Sequence, residues 1–170
     1  MRRSGCAQVL IGLESPVEGG LAGMELNSDW KHRKFPCYKD AIETIQSHGI
    51  SVNGCFVIGL DGHTTDIFDQ VFEFVRDSGL HEVQVTIQTP FPGTPLYDRL
   101  AQEGRLLEPK NWKKCTLFDV NYVPKQMSVE QLATGFRSLV SRLYSDEFTR
   151  LRRSNFKQLL RKLHLQEDDL

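Results

Sequence analysis

The chain has 170 residues, of which 39% are hydrophobic and 25% are charged, and its formal net charge is −1. These values are typical of a folded domain and exclude whole-chain disorder, collagen and coiled coil. A charge this close to zero supplies no global basic field for nucleic acid or membranes. The apolar runs are far shorter than the ~20 residues of a membrane span, and Arg2 and Arg3 precede no signal-like apolar stretch. We therefore expect a cytoplasmic protein.

Three short apolar segments predict β-strands, at residues 8–13, 50–60 and 82–88. The first is a continuous apolar run, which is typical of a strand buried on both faces. The last ends before Pro90, which cannot donate to a sheet ladder.

Helical periodicity separates these strands. Residues 38–48 and 65–78 carry apolar side chains at helical spacing, and each segment is followed by a glycine, Gly49 or Gly79, suited to a helix end. The order strand, helix, strand, helix, strand predicts an α/β fold of three parallel strands with right-handed crossovers. Residues 16–37 are predicted to be a long loop with room for one helical turn.

The second half of the chain is predicted to contain helices and an irregular connector. A short helix at 96–103 leads into an irregular aromatic connector at 105–127. Ser128 and Gln131 form a capping box that opens a helix, and a last helix follows Ser145. We therefore divide the chain into residues 1–104, the connector 105–127, and a helical extension 128–170.

Ligands of parallel sheets bind beyond the carboxyl ends of the strands, so those ends carry the candidate site. Glu14 follows the first strand, Gln88 ends the third, and Asn53 and Cys55 share one face of the second. A carboxylate at Glu14 can accept from ribose hydroxyls, and Gln88 can hydrogen-bond a flat heterocycle. Turn capping is the alternative for Glu14, and a plain Asp-Gly turn is the alternative for Asp61.

Other chemical signals are weak. The four cysteines lack metal-binding spacing, and His48, His63 and His81 flank element ends, which favours surface or capping roles. No catalytic residue and no metal site is predicted. The last helix carries a basic run, which is typical of a solvated helix face, with RNA binding as the alternative. The run comprises Arg150, Arg152, Arg153, Lys157, Arg161 and Lys162.

Three ordered motifs resemble the radical S-adenosylmethionine (SAM) superfamily, and within it the B12-binding proteins. They are Gly-Leu-Glu-Ser-Pro at 12–16, the glycine-bounded strand at 49–62, and Thr-Pro-Phe-Pro-Gly-Thr-Pro-Leu-Tyr at 89–97. The stretch from Asn111 to Tyr122, followed by Pro124 and Met127-Ser128, is similar to the C-terminal extension of that group.

The resemblance implies that residues 1–104 are half of a partial (β/α)6 TIM-like barrel, strands four to six. The CxxxCxxC loop that holds a [4Fe–4S] cluster, the first three strands and the cobalamin domain have no counterpart in this sequence. The implied SAM-pocket residues are Glu14, Ser15, Asn53, Cys55, Gly59 and Gln88. Lys31 or Arg33 is the implied partner of the methionyl carboxylate.

The implied activity is reductive cleavage of SAM to a 5′-deoxyadenosyl radical, followed by radical modification or cobalamin-dependent methylation of an unknown substrate. Because the cluster and cobalamin belong to the missing part, we expect the chain alone to be inactive. Its expected partner is that N-terminal half or a separate cluster-bearing chain. The alternatives are a non-catalytic half barrel that binds a partner chain or RNA, although nucleic acid is disfavoured, and an ordinary phosphate-binding half barrel.

A sheet that begins at the fourth strand of a barrel leaves that strand at an edge. We expect Val9, Leu10 and Ile11 to be partly uncovered, and an uncovered apolar edge favours self-association.

Overall fold

The computed structural model describes residues 1–21 and 35–168, and its centre is a parallel three-stranded sheet. The strands are β1 (Gln8–Glu14), β2 (Ser51–Ile58) and β3 (Glu82–Ile87), in the order β1-β2-β3. Residue Gly12 pairs with Cys55, and Cys55 pairs with Gln84, which sets the register of the whole sheet. The predicted α/β class with three parallel strands is confirmed.

Helices connect and extend the sheet. They are α1 (Glu18–Leu21), α2 (Tyr38–Ser47), α3 (Ile67–Asp77), α4 (Pro95–Gln102), α5 (Val129–Leu143) and α6 (Asp146–Asp168). Helices α2 and α3 are the crossovers that parallel pairing requires. Among the helices described, none has both the length and the apolar character needed to cross a bilayer.

One face of the sheet carries the core. Alternate residues of β2 and β3, including Val52, Phe56 and Val85, are buried on this face. The buried residues of α3 recur every four positions and face the sheet. The Phe74 ring of α3 packs edge-on against the Phe56 ring, with the two ring centroids 5.7 Å apart. Burial of these apolar side chains is the main favourable term of the fold, at about 25 cal/mol per Å².

The opposite face of the sheet, which we call the open face, lacks such a cover among the described residues. Leu10 is 65% exposed there, Gly12 and Gln84 are exposed, and Asn53 and Cys55 are half-buried. The expectation that β1 is buried on both faces is therefore wrong. A continuous apolar run looks alike whether one or two layers cover it, and here the residues of β1 alternate between exposed and partly buried. The expected partly uncovered edge strand is confirmed.

The helical extension starts as predicted. The Ser128 hydroxyl accepts from the Gln131 N–H at 3.0 Å, and the Gln131 side chain accepts from the Ser128 N–H at 2.7 Å. This reciprocal capping box fixes the first turn of α5. Buried Leu132 and Leu139 then pack α5 onto the core.

The basic run on α6 is not a uniformly solvated face. Arg152 is buried, with its guanidinium 5.1 Å from the Phe148 ring, whereas Leu151 is exposed. The four-residue step from Phe148 to Phe156 places Arg152, rather than Leu151, on the buried side of the helix. The Arg153 guanidinium lies 3.6 Å from the Glu82 carboxylate, so part of the run serves packing within the chain.

The connector is pinned to the sheet. The Ile87 N–H donates to the Leu117 carbonyl at 2.7 Å, and Leu106 forms a bridge with Tyr122. The Tyr122 ring is fully buried, and its hydroxyl donates to the Gly59 carbonyl at 2.6 Å. The connector thereby closes over the end of β2.

We predict that Tyr122→Phe lowers the free energy of unfolding by about 1–2 kcal/mol, because it leaves the buried Gly59 carbonyl without its donor. Urea denaturation measures this loss. Tyr97→Phe is the control, since its partly exposed hydroxyl only accepts a long bond of 3.4 Å from the Lys110 N–H, and we expect a change below about 0.5 kcal/mol. Equal losses in both variants would contradict the assigned role of the buried hydroxyl.

Candidate functional site

The carboxyl edge of the sheet, where ligands of parallel sheets bind, brings the ends of β1, β2 and β3 together. Glu14 ends β1 in the left-handed region, with φ 65°, after an irregularity in register between Gly12 and Glu14. Such a conformation is costly for a residue with a Cβ, so its presence at the candidate edge points to a local constraint.

Asn53 and Cys55 lie on the open face, as alternation along β2 predicted. The Asn53 side-chain oxygen is buried and has no hydrogen-bond partner among the described residues. The Cys55 thiol approaches the Gln84 side-chain oxygen at 3.8 Å. Burial raises the pKa of the Cys55 thiol, and the nearby negative charge of Glu14 raises it further. The strand register agrees, because Glu14 pairs with Phe56, the residue that follows Cys55 in β2.

Gln88 follows the end of β3. Its backbone N–H donates to the Ile58 carbonyl at 2.9 Å, which extends the ladder by one bond. Its side-chain oxygen is buried and, like that of Asn53, finds no partner in the described part of the chain. A buried unpaired acceptor costs free energy, and a ligand N–H or O–H can remove that cost.

Two other predicted site residues lie inside the protein. Ser15 is fully buried, and its hydroxyl lies 3.0 Å from the His63 Nε2 atom. Gly59 has φ 90°, and a Cβ added there would lie 2.1 Å from the Tyr122 hydroxyl oxygen. Both residues therefore shape the edge from within, and the site groups on or near the open face are Glu14, Asn53, Cys55 and Gln88.

His63 was expected to have a surface or capping role, and it caps from a buried position. It is 1% exposed, and its Nδ1 atom accepts from the N–H groups of Gly59 and Leu60, each at 3.3 Å. Because Nδ1 accepts, the ring proton sits on Nε2 and is donated to the Ser15 hydroxyl. Burial lowers the pKa of His63 to about 4, so the ring is neutral at neutral pH.

Asp61 is more than a turn residue. Its carboxylate forms ion pairs with Arg99 at 2.8 Å, Arg105 at 2.9 Å and Lys125 at 3.2 Å. Burial alone would raise the pKa of Asp61, but the hydrogen bonds and charges of these partners lower it overall. The end of β2 is thus tied to α4 and to the connector by an ion-pair network. Its cationic members are too distant in sequence for spacing to reveal them.

The described residues contain no group of three His, Cys, Asp or Glu side chains that could hold a metal ion. Cys6, Cys37, Cys55 and Cys115 are all free thiols, and their spacing does not match a cluster loop. These residues do not fit an iron–sulfur cluster. Lys31 and Arg33, the implied partners of the methionyl carboxylate, lie outside the described residues.

We predict that stability falls as the pH drops from about 6.5 to 4 because of His63. The unfolded histidine takes up a proton near pH 6.5, whereas the folded one does so only near pH 4, so the loss grows across this window and is constant below it. At about 1.4 kcal/mol per pKa unit, the loss of stability reaches about 3.5 kcal/mol. Urea denaturation at stepped pH measures it.

The matched variant is His63→Asn, which keeps a side-chain acceptor for the two N–H groups but does not titrate. We expect it to be less stable at pH 7 and to show a flatter profile between pH 6.5 and 4. Parallel profiles for the two proteins would show that His63 is not the group responsible.

Residues 94–168 match a family described as "Domain of unknown function (DUF4070)". The chain is 26% identical over 142 residues to the bacteriochlorophyllide d C-12(1)-methyltransferase of Chlorobaculum tepidum, which covers 84% of this chain and 30% of that protein. It is 25% identical to the hopanoid C-2 methylase of Rhodopseudomonas palustris, in an alignment that covers 86% of this chain and 26% of that protein. It is 22% identical to the anaerobic magnesium-protoporphyrin IX monomethyl ester cyclase of Rubrivivax gelatinosus, in an alignment that covers 63% of this chain and 18% of that protein.

The chain thus spans less than a third of the length of these curated relatives. Two are named for methylation and one for a cyclisation, and all three are enzymes. The resemblance indicated by the motifs at residues 12–16, 49–62 and 89–97 is confirmed, and this chain is similar to radical SAM proteins of the methyltransferase and cyclase type.

Proposed function

We propose that this chain is the C-terminal part of a radical SAM enzyme of the B12-binding type and supplies one wall of its SAM pocket. The observation that carries the proposal is the carboxyl edge of the sheet, where Glu14 ends β1 opposite Phe56, and Asn53 and Gln88 hold buried oxygens that have no partner among the described residues. The likeness to methyltransferases and a cyclase supports the reaction class. The substrate stays unassigned.

These residues fit a nucleoside. The Glu14 carboxylate is an acceptor suited to ribose hydroxyls, and the amides of Asn53 and Gln88 offer both donors and acceptors to a heterocycle. Gly12 is exposed on the same face and has no side chain, so a ligand can approach the β1 backbone. Ser15 and Gly59 support this wall from inside the protein.

The cluster and the cobalamin would be held by another part of the protein or by a separate chain, since the residues here do not fit a cluster. A cluster held there would supply the electron that reductive cleavage of SAM requires. The chain's own residues bind and orient the nucleoside half of SAM and exclude water from it. The 170 residues alone are therefore expected to bind SAM weakly and to leave it uncleaved under reducing, anaerobic conditions.

The test is a titration of the ¹⁵N-labelled chain with S-adenosylhomocysteine to millimolar concentration, followed by NMR. We expect shifts at the backbone amides of Glu14, Asn53 and Gln88, which surround the proposed wall. Glu14→Gln should weaken binding about tenfold, the ~1.4 kcal/mol expected for a charge-assisted hydrogen bond to a ribose hydroxyl.

Glu43→Gln on α2 is the control, because its exposed carboxylate lies outside the carboxyl edge of the sheet. It should leave the affinity unchanged. Shifts confined to other regions, or an unchanged affinity in Glu14→Gln, would refute the proposed pocket.

The proposed docking surface for the N-terminal half is the free edge of β1 with the groove beside it. This groove has a volume of about 990 Å³ and lies between β1, α2 and the end of α6. Its apolar lining includes Val9, Ile11, Ile45 and Leu160. A further parallel strand added at β1 would pair the backbone groups that have no strand partner in the described part of the chain, and a helix following that strand would cover the apolar lining.

We predict that the isolated chain self-associates through the same edge. Sedimentation velocity or light scattering at high concentration should show dimers or larger species. Leu10→Lys should shift the distribution towards monomer, because Leu10 is 65% exposed at the centre of β1 and a lysine on an edge strand opposes pairing.

Leu151→Lys is the matched control. Leu151 is 50% exposed on α6, so it tests whether any exposed leucine drives association. Equal effects of the two lysines would exclude the edge as the interface, and a monomeric wild type at high concentration would count against the docking surface altogether.

A further inference from the structure

Glu14 holds an unusual backbone conformation at the candidate edge. Its φ of 65° lies in the left-handed region, which residues with a Cβ rarely adopt, and the register of β1 against β2 shifts between Gly12 and Glu14. An extended conformation would continue the strand without this irregularity. Something in the fold must therefore hold the chain at this position.

The next residue is the anchor. Ser15 is fully buried, and its hydroxyl accepts from the Val17 N–H at 3.2 Å and from the His63 Nε2–H at 3.0 Å. His63 in turn accepts at Nδ1 from the N–H groups of Gly59 and Leu60. This chain of bonds, which we call the Ser15–His63 strut, joins the end of β1 to the end of β2.

The strut has little freedom to move. A Cβ added at Gly20 would lie 2.3 Å from the His63 Nε2 atom and 2.4 Å from the Ser15 hydroxyl oxygen. A Cβ added at Gly62 would lie 2.1 Å from the Gly19 carbonyl oxygen. The loops that follow β1 and β2 are therefore interlocked around the two side chains, which keeps Ser15 in one place.

We propose that Ser15 and His63 are positioning residues that hold the Glu14 carboxylate at the open face, beside Cys55, where it meets the ligand. This inference rests on the proposed function, because it names what orients the residue assigned to the nucleoside. Loss of the strut would remove one constraint on the backbone at Glu14, and a shift of that backbone towards an extended conformation would redirect the side chain. Neither Ser15 nor His63 needs to touch the ligand.

Cys55 is a built-in reporter of the position of Glu14. The Glu14 charge adds to burial in raising the pKa of the Cys55 thiol, so a displaced carboxylate lowers that pKa. In a background of Cys6→Ser, Cys37→Ser and Cys115→Ser, the pH dependence of iodoacetamide alkylation reports Cys55 alone. This readout needs neither SAM nor a cluster.

We expect Glu14→Gln to speed alkylation at neutral pH about two- to threefold, as expected for removal of one nearby charge in a largely aqueous environment. Ser15→Ala should produce the same increase, and the double variant should produce no more than either alone. Should Ser15→Ala fail to fold, His63→Asn takes its place, because it removes the Nε2 donor and keeps an acceptor for the two N–H groups.

The control is Ser51→Ala. Ser51 is also a buried serine, and its hydroxyl donates to the Ala7 carbonyl at 3.2 Å at the amino end of β2. We expect it to lose stability as Ser15→Ala does while the Cys55 profile stays unchanged. A merely structural role for Ser15 predicts that the two serine variants behave alike.

An unchanged Cys55 profile in Ser15→Ala, alongside a changed one in Glu14→Gln, overturns the inference. An unchanged profile in Glu14→Gln also overturns it, since the carboxylate would then not lie beside Cys55. The proposed function fails separately, through the absence of S-adenosylhomocysteine binding in a chain whose Cys55 profile responds as expected.

Discussion

Parallel strands cannot be joined by tight turns, so every connection in this sheet has to cross over one of its faces. Right-handed crossovers place α2 and α3 on the same side, and β1, β2 and β3 bury their alternate residues there. The other face has no connection to cover it among the described residues. The site at the carboxyl edge and the exposure of Leu10 both follow from this one constraint.

The carboxyl edge is held by polar groups rather than by apolar packing alone. The buried ring of His63 accepts a backbone N–H just after β2, the Tyr122 hydroxyl joins the connector to the end of β2, and the Asp61 carboxylate pairs with Arg105 of the connector. Such bonds are directional, so they define positions more sharply than contacts between apolar side chains do. An edge that must present a few polar groups to a ligand benefits from this rigidity.

Much of the fold was predictable because its signals are local. The strands around Val9, Phe56 and Val85 agree with the structure to within a few residues, because apolar periodicity depends on neighbouring residues only. The Ser128 capping box is confirmed for the same reason. The division into residues 1–104, 105–127 and 128–170, and the assignment of the SAM-pocket residues, stay predictions.

The predictions that failed, and the contacts that were missed, concern residues whose partners are distant in sequence. Ser15 and His63 are 48 positions apart, and Asp61 and Arg105 are 44 apart, so no spacing rule connects them. The burial of Arg152 depends on which side of α6 meets the sheet, which a run of basic residues does not reveal.

The sequence by itself determined the order of strands and helices, the capping of α5, and the motifs at 12–16, 49–62 and 89–97 that carry the likeness to radical SAM proteins. Only the tertiary structure decided which face of the sheet stays open among the described residues, that Glu14 adopts φ 65°, and which polar groups lie buried at the edge. The physical reason is that propensity and periodicity act over a few residues, whereas burial and hydrogen-bond pairing depend on which distant segments the folded chain brings together.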